Sequence, residues 1–160
     1  MDLLRNFLTV AVVLSLSSVV PATPVDTAWD LVYAVESRNG QLFLDLMSES
    51  LCKQIETRIE QIKELAETDP GLIEEFLLNT GLSITVYDLQ LMTSSDFVST
   101  VLENTNLPPL GNVVSEEASL NGRNAAVVFE WSSGYSLNMQ MIWEESSWKV
   151  TGSSILARVF

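Results

Sequence analysis

Apolar and polar residues alternate most regularly between Gly111 and Ser154, where four strand-like runs are separated by short turns. In Arg123 to Trp131, Ala125, Val127, Phe129 and Trp131 alternate with Asn124, Ala126, Val128 and Glu130, the two-residue period of a half-buried strand. In the next run Tyr135, Leu137, Met139, Met141 and Trp143 share one face, and Ser136, Asn138, Gln140, Ile142 and Glu144 share the other. A three-residue loop at Ser132-Ser133-Gly134, with Gly134 left-handed, pairs Trp131 with Tyr135 and Phe129 with Leu137. Any one-residue slip would turn the apolar set to solvent, so this register is constrained. Ahead of it, Leu120-Asn121-Gly122-Arg123 is a strong short hairpin signal. A two-residue turn at Asn121-Gly122 predicts Ala118 opposite Ala125 and Val114 opposite Phe129, which sets Glu116 opposite Val127 as the one charge on the apolar face. After the third run, Glu144 to Ser147 returns the chain so that Trp148 faces Trp143 and Val150 faces Met141. The expected unit is a four-stranded antiparallel meander whose aromatic-rich face needs a cover.

The residues ahead of the meander read as helices. Thr23 caps the first, Pro24 takes its first position, Asp26 reaches back from the third, and Val25, Ala28, Trp29, Val32 and Val35 form its stripe. Asn39-Gly40 is expected to end it, followed by a short segment, Gln41 to Met47, with Leu42, Phe43, Leu46 and Met47 on one side. Ser48 or Ser50 caps the longest helix, in which Leu51, Ile55, Ile59, Ile62, Leu65 and Ala66 recur every three or four residues. The charges between them, from Glu49 to Glu64, describe a solvated surface. Asp69-Pro70-Gly71 stops that helix, and Leu72 to Leu78 form another, closed by Gly81. In Ser83 to Met92, Ile84, Val86 and Tyr87 favour strand, while Val86, Leu89 and Met92 fit a short helix. Thr93-Ser94-Ser95-Asp96 opens a further helix with Phe97, Val98, Val101 and Leu102 behind it, and the Pro108-Pro109 loop leads into the sheet.

Composition narrows the setting. The 160 residues make room for one domain, and a 47% hydrophobic share suffices for a core. Met1 to Arg5, the apolar run Phe7 to Val20 and Val20-Pro21-Ala22 read as a secretory signal cleaved after Ala22, leaving residues 23–160 as the domain. As a helix the run would reach only about 21 Å, short of the roughly 30 Å hydrocarbon core, although an uncleaved anchor is the alternative. The expected location is therefore outside the cytoplasm, periplasmic or secreted, without stable membrane insertion after cleavage. Losing Asp2 and Arg5 takes 21 acidic and 8 basic residues to 20 and 7, so the net charge stays at −13. A field of that sign repels nucleic acid and anionic lipid. Cys52, the single cysteine, excludes an internal disulfide and is expected to pack as a small, partly buried hydrophobe.

The opening helix Val25 to Arg38, the break at Asn39-Gly40-Gln41, the meander Val113 to Ile142 and the closing Ser147-Trp148-Lys149-Val150 resemble the nuclear transport factor 2-like superfamily. That superfamily of cone-shaped α+β folds includes many exported bacterial proteins. The resemblance implies an α+β domain with helices packed on a curved meander, a site inside the cone, and dimerisation through the outer sheet face, here Ala126, Val128 and Ile142. Enzymes of the superfamily place Asp with His or Tyr inside the cone. This chain has no His, so a general base would have to be a carboxylate raised by burial.

The ligand-binding candidates are Trp29, Tyr33, Glu116, Phe129, Trp131, Tyr135, Met139, Met141 and Trp143. The aromatic rings suit either a core or a ligand cage, the methionines either gap-fillers or a plastic wall, and the tyrosines either a core rim or donors to a ligand carbonyl. Glu116 is the single acid–base candidate, and an inward charge guarding an edge strand is its structural alternative. No zinc spacing, phosphate loop or nucleophile elbow is present, so no metal or cofactor is expected. The function expected is a non-catalytic exported domain binding a small apolar ligand or a protein partner in or over an aromatic-lined cone. The alternative is an isomerase- or hydrolase-like enzyme that uses a buried Glu without His.

Overall fold

Six helices precede a four-stranded antiparallel sheet in a computed structural model, which describes residues 22–105 and 110–156. The helices are α1 (Pro24–Glu36), α2 (Gly40–Asp45), α3 (Glu49–Thr68), α4 (Pro70–Thr80), α5 (Val86–Leu91) and α6 (Ser94–Asn104). The strands are β1 (Val113–Asn121), β2 (Asn124–Trp131), β3 (Ser136–Glu144) and β4 (Ser147–Ser153), ordered β1-β2-β3-β4 in an open α+β meander. The expected signal segment and the Pro108-Pro109 loop lie outside the described residues. Among those residues no helix is long and apolar enough to cross a membrane.

Caps set most helix starts. The Thr23, Thr85 and Thr93 side chains each accept from the backbone N–H three residues on, and Asp26, Asp88 and Asp96 accept in return from the cap backbones. Thr85 thereby settles the ambiguous 83–92 stretch as helix. Ser48 caps α3, and Asp69 caps α4 with Pro70 at its first position. Gly81 closes α4 at φ +74°, a left-handed position that glycine takes without strain. The stop expected at Asn39-Gly40 is not one. α1 ends at Glu36, Asn39 caps α2, and Gly40 begins it, with its N–H donating to Ser99 Oγ at 2.9 Å. A Cβ on Gly40 would fall on the Ser95 carbonyl oxygen and 2.7 Å from Ser99 N and Oγ, so glycine is there to let α2 lie against the α6 backbone.

The β2–β3 and β3–β4 registers agree with the reading of spacing. Phe129 faces Leu137, Trp143 faces Trp148 and Met141 faces Val150. The Trp131 N–H donates to the Tyr135 carbonyl at 3.0 Å around a loop in which Gly134 has φ +80°. The β1–β2 register differs by two residues. Asn121 pairs with Asn124, so the turn is Gly122-Arg123, with Gly122 at φ +61°, and Ala118 faces Val127 rather than Ala125. Arg123 favours this turn because the Trp143 N–H donates to its carbonyl at 2.7 Å while its guanidinium donates back to the Trp143 carbonyl. The even shift keeps Glu116 on the apolar face but opposite Phe129. Val114, expected opposite Phe129, instead falls at a register irregularity between Val113 and Ser115 and is 64% exposed.

The sheet's apolar face is covered by α1, which meets β2 and β4, and by α3, which meets β4. Phe43, Leu31, Val127, Phe129, Met139 and Val150 are fully enclosed between these layers. Ile155, beyond β4, is buried in the same core. The remaining helices build outward: α6 packs on α2, and α4 and α5 pack on α3. The outer sheet residues Ala126, Val128 and Ile142 are half-buried.

Candidate functional site

The structure does not gather the expected site residues into one pocket. Phe129, Met139 and Met141 are at most 1% exposed and Trp131 is 3% exposed, so the interior of the expected cone is packed core at these positions. Their rings interlock. Trp29 lies tilted on Phe129 at 4.7 Å between centroids, Trp131 stands edge-on to Phe129 at 5.6 Å, and the half-buried Tyr135 ring is 5.6 Å from Trp131. Trp143 is at the far end of β3, edge-on to Trp148 at 5.3 Å. Only the mouth of this cluster is open. Trp29 and the exposed Tyr33 line a shallow depression of about 520 Å³ with Asp30, Glu36, Leu110 and Trp131.

Glu116 is exposed, and its carboxylate accepts a hydrogen bond from the Trp29 indole N–H at 3.0 Å. The burial on which an acid–base role for this residue rested is absent, because β1 is an edge strand that the helical layer does not cover. Glu116 fixes the Trp29 ring at the rim of the core instead.

A second concavity lies among the helices, at residues that the reading of spacing did not assign to a site. α3, α4 and α6 enclose a cleft of about 410 Å³ whose walls are Ile59, Ile62, Phe76, Leu82, Phe97 and Val101. Helical spacing presents these residues to a common space: Ile59 and Ile62 on α3, Phe76 and Thr80 four apart on α4, and Phe97, Val101 and Thr105 four apart along and just beyond α6. Ile59 and Phe97 are almost wholly buried at the floor, while Phe76 is 38% exposed at the opening. Periodicity along the chain marked these as buried stripes. It could not show that the three stripes diverge enough to leave space between them.

A third concavity, about 690 Å³, opens between α3 and the β3–β4 turn and is lined mainly by charged groups. Several of these are committed to the backbone. Lys149 Nζ donates to the Asp45 carbonyl, Arg123 donates to the Trp143 carbonyl, and Glu144 accepts from the Glu49 N–H at 3.2 Å. Cys52 lies here, half-buried, 3.7 Å from Glu56 Oε1. Burial first, and then the Glu56 charge, push the thiol pKa up, which disfavours the nucleophilic thiolate and suits a packing role. Among the described residues no group of three or more His, Cys, Asp or Glu side chains is placed to hold a metal ion.

Compared with protein families, with curated proteins and with solved structures, the chain matches none. The likeness to the nuclear transport factor 2-like layout thus rests on the residue pattern alone.

Proposed function

We propose that the protein is an exported, non-catalytic binding domain that holds a small apolar molecule between α3, α4 and α6. The observation that carries this reading is the cleft itself: six apolar side chains surround about 410 Å³, within the range of small-molecule sites. Relative to the nuclear transport factor 2-like layout, the site moves from the cone, which is filled, to the helices inserted between Leu51 and Leu102. The apolar run Phe7 to Val20 ahead of Ala22 supports export. A ligand burying about eight methylenes gains roughly 6 kcal/mol before the costs of association, so an affinity of tens of micromolar at best is expected.

The test uses a neutral naphthylamine dye that brightens in apolar surroundings, titrated against the intact domain and against Val101→Trp, which fills the cleft from its half-buried wall. Saturable one-to-one binding is expected, about tenfold weaker in Val101→Trp, with thermal unfolding of the variant unchanged. Leu78→Ala, at an 80% exposed position outside the cleft, should bind as the parent does. Equal dye affinity in the parent and Val101→Trp would remove the cleft as the site.

A further inference from the structure

The cleft has an asymmetric polar mouth. Its four polar lining residues are Arg58, Thr80, Asn104 and Thr105. Three of them direct donors into their own helices: Thr80 Oγ to the Phe76 carbonyl at 2.8 Å, Thr105 Oγ to the Val101 carbonyl at 2.9 Å, and Asn104 Nδ2 to the Thr100 carbonyl at 2.9 Å. Arg58 differs. Among the described residues its guanidinium makes no hydrogen bond and no ion pair.

The sequence of α3 explains why. Three and four residues from Arg58 stand Gln54, Ile55, Gln61 and Ile62, so no carboxylate occupies a helical-neighbour position. Lys63 on the same helix has Glu60 three residues away and pairs with it at 3.2 Å. No Asp or Glu lines the cleft, although the chain holds 21 of them and carries a net charge of −13. An uncommitted guanidinium at the edge of an apolar cleft free of carboxylates complements a molecule with an apolar body and one anionic end. A planar carboxylate fits the fork of a guanidinium through two parallel hydrogen bonds. A more highly charged head would meet the overall negative field with only one cation in the cleft to offset it.

We propose that the ligand class of this cleft is an aliphatic or aryl-aliphatic monocarboxylate, its chain among Ile59, Ile62, Phe76, Phe97 and Val101 and its carboxylate on Arg58. This rests on the reading of the cleft as the binding site. The experiment separates the two by displacing the neutral dye with decanoate, decanol and decyl phosphate from the parent domain and from Arg58→Gln. It is run at physiological salt, where charges beyond about 8 Å are largely screened. Decanoate is expected to displace at about tenfold lower concentration than decanol from the parent, and at the same concentration as decanol from Arg58→Gln, each displacement being referred to the dye affinity measured for that protein. Raised salt should narrow the gap in the parent.

Equal displacement by decanoate and decanol from the parent would overturn the monocarboxylate assignment and leave the cleft reading standing. A gap that persists in Arg58→Gln would overturn the role of Arg58. Tighter competition by decyl phosphate than by decanoate would overturn the choice of a carboxylate head. Failure of the dye itself to bind would bring down the cleft reading and this inference with it.

Discussion

Replacing Gly40 by alanine tests the geometry that positions α6, and through it one wall of the cleft. The added Cβ would meet the Ser95 carbonyl oxygen and, at 2.7 Å, both Ser99 N and Ser99 Oγ. Two of these three atoms belong to the α6 backbone, which cannot rotate aside as a long side chain can. α2 and α6 must therefore separate, and the overpacking costs about 1–3 kcal/mol. Lengthening the Gly40 N–H to Ser99 Oγ bond, now 2.9 Å, removes roughly 1 kcal/mol more. Alanine's better helix propensity returns at most about 1 kcal/mol. The net loss of about 1–3 kcal/mol corresponds to a fall in Tm of roughly 3–10 °C for a domain of this size. Urea titration should show a lower midpoint with an unchanged slope. Gly71→Ala is the matched control, because its Cβ would meet only Asp69 Oδ1 at 3.8 Å, and it should be as stable as the parent or more stable by up to about 1 kcal/mol. Since α6 carries Phe97 and Val101, Gly40→Ala should also weaken dye binding in the cleft. A Gly40→Ala domain as stable as Gly71→Ala would refute the close-approach argument.

Three further outcomes follow from single groups. Backbone and hydroxyl hydrogen bonds from Thr23 hold Asp26 below its ordinary 3.8, and those from Thr85 and Thr93, hydroxyl first, do the same for Asp88 and Asp96. A depressed native pKa means stability fully present above the unfolded value and lost as pH falls through the native one, so the gap in urea midpoint between the parent and a Thr85→Ala/Thr93→Ala variant should narrow as pH falls below the ordinary 3.8, down to the part due to the hydroxyl caps themselves, which do not titrate. Cys52 should react with iodoacetamide at pH 8 several-fold more slowly in the native protein than in urea, and Glu56→Gln should speed the native reaction; equal native and unfolded rates would contradict the burial of the thiol. Met139→Ala should cost about 2–5 kcal/mol by chemical denaturation while Met139→Leu costs less than about 1.5, as befits a fully enclosed core residue; a near-neutral Met139→Ala would reopen the sheet interior as a binding wall.

The meander was legible where sequence supplied two independent constraints. Between β2 and β3, aromatic alternation and a glycine at the left-handed loop position agree on one register, and the Trp143–Trp148 pair fixes β4 in the same way. Between β1 and β2 the Asn121-Gly122 dipeptide acted alone. The preference of such pairs for a tight turn was outweighed by Arg123, whose backbone and guanidinium both bond to Trp143 on β3, a partner twenty residues away. The face of Glu116 survived that shift because two residues preserve parity. Its burial did not, since alternation tells which side a residue points to and not whether another layer covers it. At Thr85 the pairing with Asp88 as a cap was missed in a stretch where Ile84, Val86 and Tyr87 pointed to strand, and the cap decided for helix. Gly40 looked like a terminator because helix-ending glycines and close-approach glycines are the same letter. The cleft was least legible, being a property of how three stripes fail to meet.

The two edges of the sheet are protected by different means, and this gives the molecule a lopsided vulnerability. Beside β4 the chain covers its own edge: Met47 bridges Val150, the Ser48 N–H donates to the Val150 carbonyl at 2.9 Å, and the Val150 N–H donates to Leu46. Among the described residues β1 has no such strip, and its defences are the irregularity at Val114 and the adjacent carboxylates Glu116 and Glu117. Covalent continuity does not depend on salt, but the reach of a charge does. At high ionic strength the guard on β1 is screened while its row of amides and carbonyls persists, and Val114 and Leu120 are already in solvent. Strand addition between molecules should therefore begin at β1, with β4 left capped, so that early salt-induced assemblies grow from one side of the sheet only.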